Sequence, residues 1–391
     1  AFRTWSTETG VLAHFDNVKL LDGLRIVTDG FVPEEPPVPP SIPPRPFVHP
    51  SVYNTQEELE RIRYRVNAEP GSAAAMGWSQ VLNSGLASLS YQHVPYSNVV
   101  VVASGTSPSE TQYRRDAHAA RALALRWVMS GDVRYRDKAR QILNDWANTF
   151  QTMSPASGTS TSQIQLEAAW AAPIWVAAAD LIRYFDGGSA GWSGSEIAQF
   201  DRMLDYLHGE AAKSATRNNN WGASAALTLI SVGAYQGNRD RFNAGVKTWR
   251  DRLIGINQAV DGYNDDSIYE VCRDTVHPQY TLTVWAQAAE VAWKHDLDLY
   301  GMTFDADPRP QYSRNLEYFA ELFRGLRQPP CDATFTGNYL GEQMRANAYD
   351  VGHNHYLHRC GLSSMPVFED MVINHWRPGG FDDHFPARSE E

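Results

Sequence analysis

The stretch YEVCRDTVHPQY, residues 269–280, gathers Glu270, Arg273, Asp274, His277 and Tyr280 into twelve positions. Arginine and histidine can hold an anion, and histidine or tyrosine can take and return a proton. On a continuous helix Arg273, His277 and Tyr280 would share one face at i, i+4 and i+7. Pro278 opposes that continuity, because it lacks a backbone donor and biases His277 away from helical geometry. The pattern therefore predicts a loop over 265–277 that feeds a helix with Pro278 at its first position, His277 just outside it and Tyr280 in its first turn. The plain alternatives are that Arg273 pairs with Glu270 or Asp274 and that His277 is a satisfied loop histidine.

A second cluster is TRNNNWGASAAL, residues 216–227. Asparagines compete for backbone hydrogen bonds, so Asn218, Asn219 and Asn220 are expected to cap a helix that begins near Trp221. Three in a row exceed what a cap needs. A carboxamide at a helix N-terminus can donate to a carboxylate while the helix dipole favours its charge. A third cluster, YDVGHNHYLHR at 349–359, carries His353, His355 and His358 at spacings that could reach zinc, but without a carboxylate or cysteine at ligand spacing. The alternative is a polar cleft wall built from Asn354, His355, Tyr356 and Arg359. A fourth, QIQLEAAWAAPIW, offers Glu167 and Trp170 at a helix start, with Trp170 either in the core or under a sugar face.

These residues need elements to position them. Thr55 with Glu58 three positions later reads as a capping box. Helical periodicity then runs through 110–130, 133–149, 164–185, 195–213, 220–236, 239–255, 278–295 and 311–326. The junctions SGDVRYRDKARQILNDW and QGNRDRFNAGVKTWRDRL share a Gly, an Asp or Asn cap and a terminal Trp. Such recurring hairpins suggest an all-α main domain, a toroid or solenoid whose inner helices line a cleft and whose loops at the mouth carry the chemistry. Before it, residues 1–31 read as an extension with short strands around Asp22-Gly23, and 32–46 as a proline-rich linker; the main domain spans 47–391.

The chain of 391 residues carries 34 basic and 45 acidic side chains, net −11, which argues against nucleic acid or an anionic membrane as partner. It has no apolar run long enough to span a bilayer, and AFRTWSTETG lacks the marks of a signal peptide. Three cysteines, Cys272, Cys331 and Cys360, are compatible with one disulfide and a free thiol or with three thiols.

Taken in order, RNNNW, YEVCRDTVHPQY with AQAAEVAW, NHYLHR and RPGGFDDHF resemble the alginate-lyase-like polysaccharide lyases over roughly residues 47–386. The resemblance implies an incomplete (α/α) toroid and cleavage of 1,4-linked polyuronates by β-elimination. It also implies no metal or cofactor, secretion, and a monomer working on an anionic polysaccharide. Better-known alginate lyases read Asn-Asn-His where this chain has Asn-Asn-Asn, which leaves His277 as the substitute and makes glucuronan a candidate beside alginate. The residues expected to act are Asn220, Arg273, His277 and Tyr280. Asn219, Glu167, Trp170, Trp221, Asn354, His355, Tyr356 and Arg359 are expected to bind the polymer. Tyr280, eased toward phenolate by Arg273, would take H5 and return the proton to O4; His277 is the second choice of base. A glycoside hydrolase using Asp266 with Glu270 or Asp274, and a binding protein without catalysis, are the rival readings.

Overall fold

The computed structural model describes residues 45–258, 266–303, 306–340 and 349–375. The expected N-terminal strands and residues 32–44 of the linker lie outside them. The described residues from Phe47 onward form one compact unit. It opens with α1 (Gln56–Ala68), where the Glu58 amide donates to Thr55 Oγ1 at 3.2 Å and the Thr55 amide to Glu58 Oε2 at 2.8 Å. This is the reciprocal cap that the Thr-x-x-Glu spacing calls for. The following α2 (Ala73–Asn83) was not foreseen, since Val81 is the buried apolar side chain it shows and no stripe marks it.

Eight longer helices follow as four hairpins. They are α3 (Pro108–Ser130) with α4 (Val133–Thr149), and α5 (Gln163–Tyr184) with α6 (Gly194–Ala212). Then come α7 (Asn220–Tyr235) with α8 (Arg239–Gln258), and α9 (His277–Trp293) with α10 (Gln311–Phe323). The first member of each hairpin packs on the first member of the next, α3 on α5, α5 on α7 and α7 on α9, while α4, α6 and α8 cover the outside. The architecture is an (α/α) toroid. Short helices α11 (Tyr349–His353) and α12 (Pro366–Asp370) close it against α9 and α10.

Composition explains which helices are inside. From Leu166 to Ile182 every residue of α5 is buried, and so is every residue of α7 from Gly222 to Tyr235. Apart from Glu167 and Asp180, whose carboxylates are engaged by Arg114 and by the Ser51 and Val52 amides, both segments are apolar or small, so they have no face to give to water. The outer α4 instead buries one stripe, Ala139, Ile142, Leu143, Trp146 and Ala147. Tight turns separate hairpin arms: Gly131 at φ 72° precedes the Asp132 cap, and Gly237 at φ 63° precedes Asn238, whose Oδ1 accepts from the Arg241 amide at 3.1 Å. The arms of the α7–α8 hairpin approach so closely that a Cβ on Gly245 would lie 2.6 Å from the Ile230 nitrogen.

The inner helices run parallel. Near their starts Arg114 of α3 meets Glu167 of α5, and Trp170 of α5 donates to Ser224 Oγ of α7 at 3.1 Å. At their far ends the Tyr184 hydroxyl of α5 donates to the Tyr235 carbonyl of α7 at 2.9 Å. Starts meet starts, so all four N-termini open on one mouth. There the loops entering α3 and α5 are braced by a two-stranded parallel pair, β1 (Asn98–Val101) and β2 (Thr152–Pro155), with Val99 opposite Met153. The nearby Tyr91 packs, its hydroxyl donating to Asp116 Oδ1 at 2.8 Å. Among the described residues no helix is long and apolar enough to cross a membrane.

Candidate active site at the mouth of the toroid

The three asparagines before α7 do three different things. Asn218 is held through its Oδ1 by Arg252, which also donates to the Thr216 carbonyl at 2.9 Å. Asn219 is the N-cap, accepting from the Trp221 amide at 3.1 Å. Asn220 is 1% exposed, and neither its Oδ1 nor its Nδ2 has a hydrogen-bond partner. A buried carboxamide left unsatisfied costs about 1–3 kcal/mol, so a ligand group that engaged it would recover that cost. Half-buried Trp221 carries the Arg217 guanidinium on its ring at 4.2 Å.

Across the mouth, residues 266–276 lead into α9, which starts at His277 rather than at Pro278. His277 is therefore inside the first turn, one residue earlier than the proline rule places it. The reason is local: Asp274 Oδ1 accepts from the amides of both Val276 and His277 at 2.8 Å and pins the turn before the proline. Its other oxygen lies 2.6 Å from His277 Nδ1, with the ring almost wholly buried. Burial alone would lift the Asp274 carboxyl, but the hydrogen bonds from His277 outweigh it and take it down to about 2. On the imidazole, burial opposes the charge, yet the Asp274 contact prevails and raises its affinity for a proton.

Tyr280 follows one turn later and is half-buried. Its ring lies 5.5 Å from the His277 ring and meets Trp170 edge-on at 5.7 Å. Trp170 is in the core and also forms the floor under Tyr280. Arg273, half-exposed, donates to Glu270 Oε1 at 2.9 Å and lies 3.5 Å from Asp274 Oδ2. Glu270 is buried, accepts weakly from the Asn220 amide at 3.4 Å, and has φ 75°, a left-handed backbone that costs a glutamate about 1–2 kcal/mol. Asn220, Glu270, Arg273, Asp274, His277 and Tyr280 thus form one connected group where α7 and α9 begin. Downstream, Val284, Trp285, Ala288, Val291 and Ala292 are all buried, as their spacing predicts.

Two expectations need correcting. Glu167 is fully buried and takes a bidentate hydrogen bond from Arg114, so its carboxylate serves the α3–α5 contact and is not presented to a polymer. The 349–359 segment is no cleft wall. His355 stacks on Tyr300 at 3.9 Å, the Tyr356 hydroxyl donates to the Tyr300 carbonyl at 2.8 Å, and Arg359 clasps Glu290 at 2.7 and 2.8 Å. Glu290 sits near the other end of α9, about 20 Å from His277 at a rise of about 1.5 Å per residue; only Asn354 of this set is exposed. Helical spacing hid this, because the segment Asn354–Arg359 is a π-helical turn that rotates its side chains off the expected face. Among the described residues no cluster of three or more His, Cys, Asp or Glu could hold a metal ion.

The spacing of residues 269–280 pointed to the pair that organises the site, Asp274 and His277, but without assigning Asp274 a task. Nothing in the sequence announced the disulfide Cys272–Cys331 beside Arg273, or Tyr339, whose hydroxyl lies 2.7 Å from the Val271 carbonyl and 2.9 Å from that of Asp274. The carboxylates required by a hydrolase are engaged elsewhere: Asp266 pairs with Arg314 at 2.5 Å, Glu270 with Arg273, and Asp274 with His277.

Parallel inner helices with asparagine, arginine, histidine and tyrosine at their common mouth define a polysaccharide lyase of the (α/α) toroid class. The chain belongs to the alginate lyase family, whose model matches residues 84–318. Two solved structures share the fold. Alginate lyase A1-III from Sphingomonas species A1 superposes with TM-score 0.56 at 14% identity, covering 82% of this chain and 91% of that one. An alginate lyase from Bacteroides ovatus gives TM-score 0.59 at 13% identity, covering 88% of this chain and 100% of that one. No curated protein sequence matches the chain significantly.

Proposed function

We propose that this polysaccharide lyase cleaves 1,4-linked uronate polymers, glucuronan or the mannuronate-type blocks of alginate, by syn β-elimination at the mouth formed by α7 and α9. The observation that carries the reading is the convergence of Asn220, Arg273, His277 and Tyr280, which combines anion-holding groups with a proton carrier. A uronate C5 proton is weakly acidic because the adjoining carboxylate is already anionic. Hydrogen bonds from Asn220 and from Arg273 or His277 would strengthen as charge moves onto that carboxylate.

Tyr280 as phenolate then removes H5, the C–H electrons form the C4–C5 double bond, and the C4–O4 bond breaks. The tyrosine proton passes to O4 and the phenolate is restored. In β-mannuronate and glucuronate H5 and O4 lie on the same side, so one residue serves both transfers, and the balance calls for no metal or cofactor. Support comes also from the Sphingomonas enzyme, whose variants complexed with tetrasaccharide replace a tyrosine by phenylalanine and a histidine by alanine. The disulfide Cys272–Cys331 fits an oxidising compartment and hence a secreted enzyme acting on extracellular polymer.

The test is an assay of the purified protein on separate alginate blocks, glucuronan and hyaluronan, following ultraviolet absorbance of the unsaturated uronate. Product from glucuronan or mannuronate blocks is expected. Product from guluronate blocks alone would overturn the syn mechanism, and reducing ends without the chromophore would overturn elimination.

A further inference from the structure

We propose that Asp274 is a positioning residue of this site. Its carboxylate fixes the His277 ring through Nδ1 and holds it as an imidazolium, so that His277 contributes positive charge and Tyr280 moves the proton. The inference rests on the lyase reading above and assigns the base to Tyr280 rather than His277.

The geometry is specific. One oxygen of Asp274 is committed to the amides of Val276 and His277, and this fixes where the other oxygen sits, 2.6 Å from Nδ1. A buried imidazole joined at that distance to a carboxylate keeps its Nδ1 proton and is stabilised in the charged form. The charged groups facing it are Asp274 and Glu270, which favour the imidazolium, and Arg273, which opposes it. Arg273 is itself paired to both carboxylates, and that pairing weakens its opposition. On its own helix His277 faces Tyr280; from α5 the group beyond Tyr280 is the uncharged Trp170, and from α7 the uncharged Asn220 meets Glu270. An incoming uronate adds another anion on this side. It would hold the proton on His277 more firmly, and the imidazolium in turn favours a phenolate at Tyr280.

The experiment compares the wild type with Asp274→Asn, which keeps the Oδ1 acceptor of the turn and removes the charge. Histidine nitrogen NMR titration reads the state of His277, and kcat and KM are measured against pH on the polymer that the wild type cuts. The expected result is that His277 loses its proton about one to three pH units lower in the variant. The alkaline limb of kcat is expected to move with it, with KM changed less than kcat. A neutral His277 in the wild type at its pH optimum, or an unchanged titration in Asp274→Asn, overturns the proposal and leaves Asp274 as a cap alone. If the wild type makes no unsaturated product from any polyuronate, the lyase reading fails, and the NMR titration still decides whether Asp274 holds the His277 proton.

Discussion

Cys272 is bonded to Cys331, so the residue immediately before Arg273 is tied to a segment 59 positions along the chain. The loop that carries Glu270, Arg273 and Asp274 has two left-handed residues, Asp266 and Glu270, and would not hold this shape by local preference. The covalent link, the Tyr339 hydroxyl and the 2.6 Å bond from Asn315 Nδ2 to the Asp266 carbonyl together overrule that preference.

Replacing both cysteines, Cys272→Ser with Cys331→Ser, should therefore reduce stability by about 4 kcal/mol on the chain-entropy estimate. Thermal unfolding with and without reductant checks this. KM should rise as the loop loses its shape; an unchanged melting temperature would show that packing alone fixes the loop.

Tyr280→Phe keeps the edge-on contact with Trp170 and removes the hydroxyl proposed as the proton carrier. We expect kcat to fall by about 10²–10⁴-fold while polymer binding by calorimetry stays within a few-fold. Near-normal cleavage by this variant would sink the assignment.

Asn219 and Asn220 are adjacent and should respond differently. Asn219→Ala removes a cap and should cost about 1 kcal/mol. Asn220→Ala deletes a carboxamide that has no partner, so stability should hold or rise while kcat/KM drops. Denaturant melts and initial rates on the same two proteins separate these roles; equal melts would contradict them.

Arg359 and Glu290 form a bidentate pair joined by Lys294, whose Nζ is 2.9 Å from Glu290 Oε1. Burial raises the Glu290 carboxyl, but Arg359 and Lys294 prevail and hold it at about 2. Arg359→Met should cost about 3 kcal/mol, because it leaves a buried carboxylate short of a partner. KM for the polymer should be unaltered; a rise in KM without loss of stability would restore Arg359 to the binding surface.

His295 supplies a pH response. It is boxed by Phe47 and Phe242 at 5.0 and 5.3 Å, and burial, then His49 and Arg239, bring its pKa down to about 4. The unfolded chain takes the proton below about 6.5 and the folded one holds it off until about 4. Stability should thus fall as pH drops through that window, by up to about 1.4 kcal/mol per pH unit from this group. The stability lost between pH 7 and pH 5, read from urea melts, should be larger for the wild type than for His295→Gln; equal losses would refute the assignment.

How much of this could be read beforehand divides by range. Helices α3 to α10 follow their apolar periodicity to within about three residues at each end, because burial repeats every turn and caps such as Asp132 and Asn238 are local signals. Site residues on the first turns of α7 and α9 were legible for the same reason. Glu167 and Arg359 misled because a charged side chain near a motif looks alike whether it meets solvent or a partner far along the chain, here Arg114 and Glu290. The Val99–Met153 strand pairing and the Cys272–Cys331 bond are likewise contacts between distant segments that no local pattern encodes.

The parallel setting of α3, α5, α7 and α9 has an electrostatic consequence. Each helix start carries about half a positive elementary charge, so four of them give the mouth about two, while Arg273 is matched there by Glu270 and His277 by Asp274. The chain as a whole is −11. At low salt a polyanion approaching the chain meets net repulsion, which ordinary salt screens beyond a Debye length of about 8–10 Å, whereas the helix starts attract a segment that lies in the mouth. Added salt should therefore speed the encounter while it weakens the held complex. The negative charge of the rest of the chain disfavours adsorption of a polyanion away from the mouth.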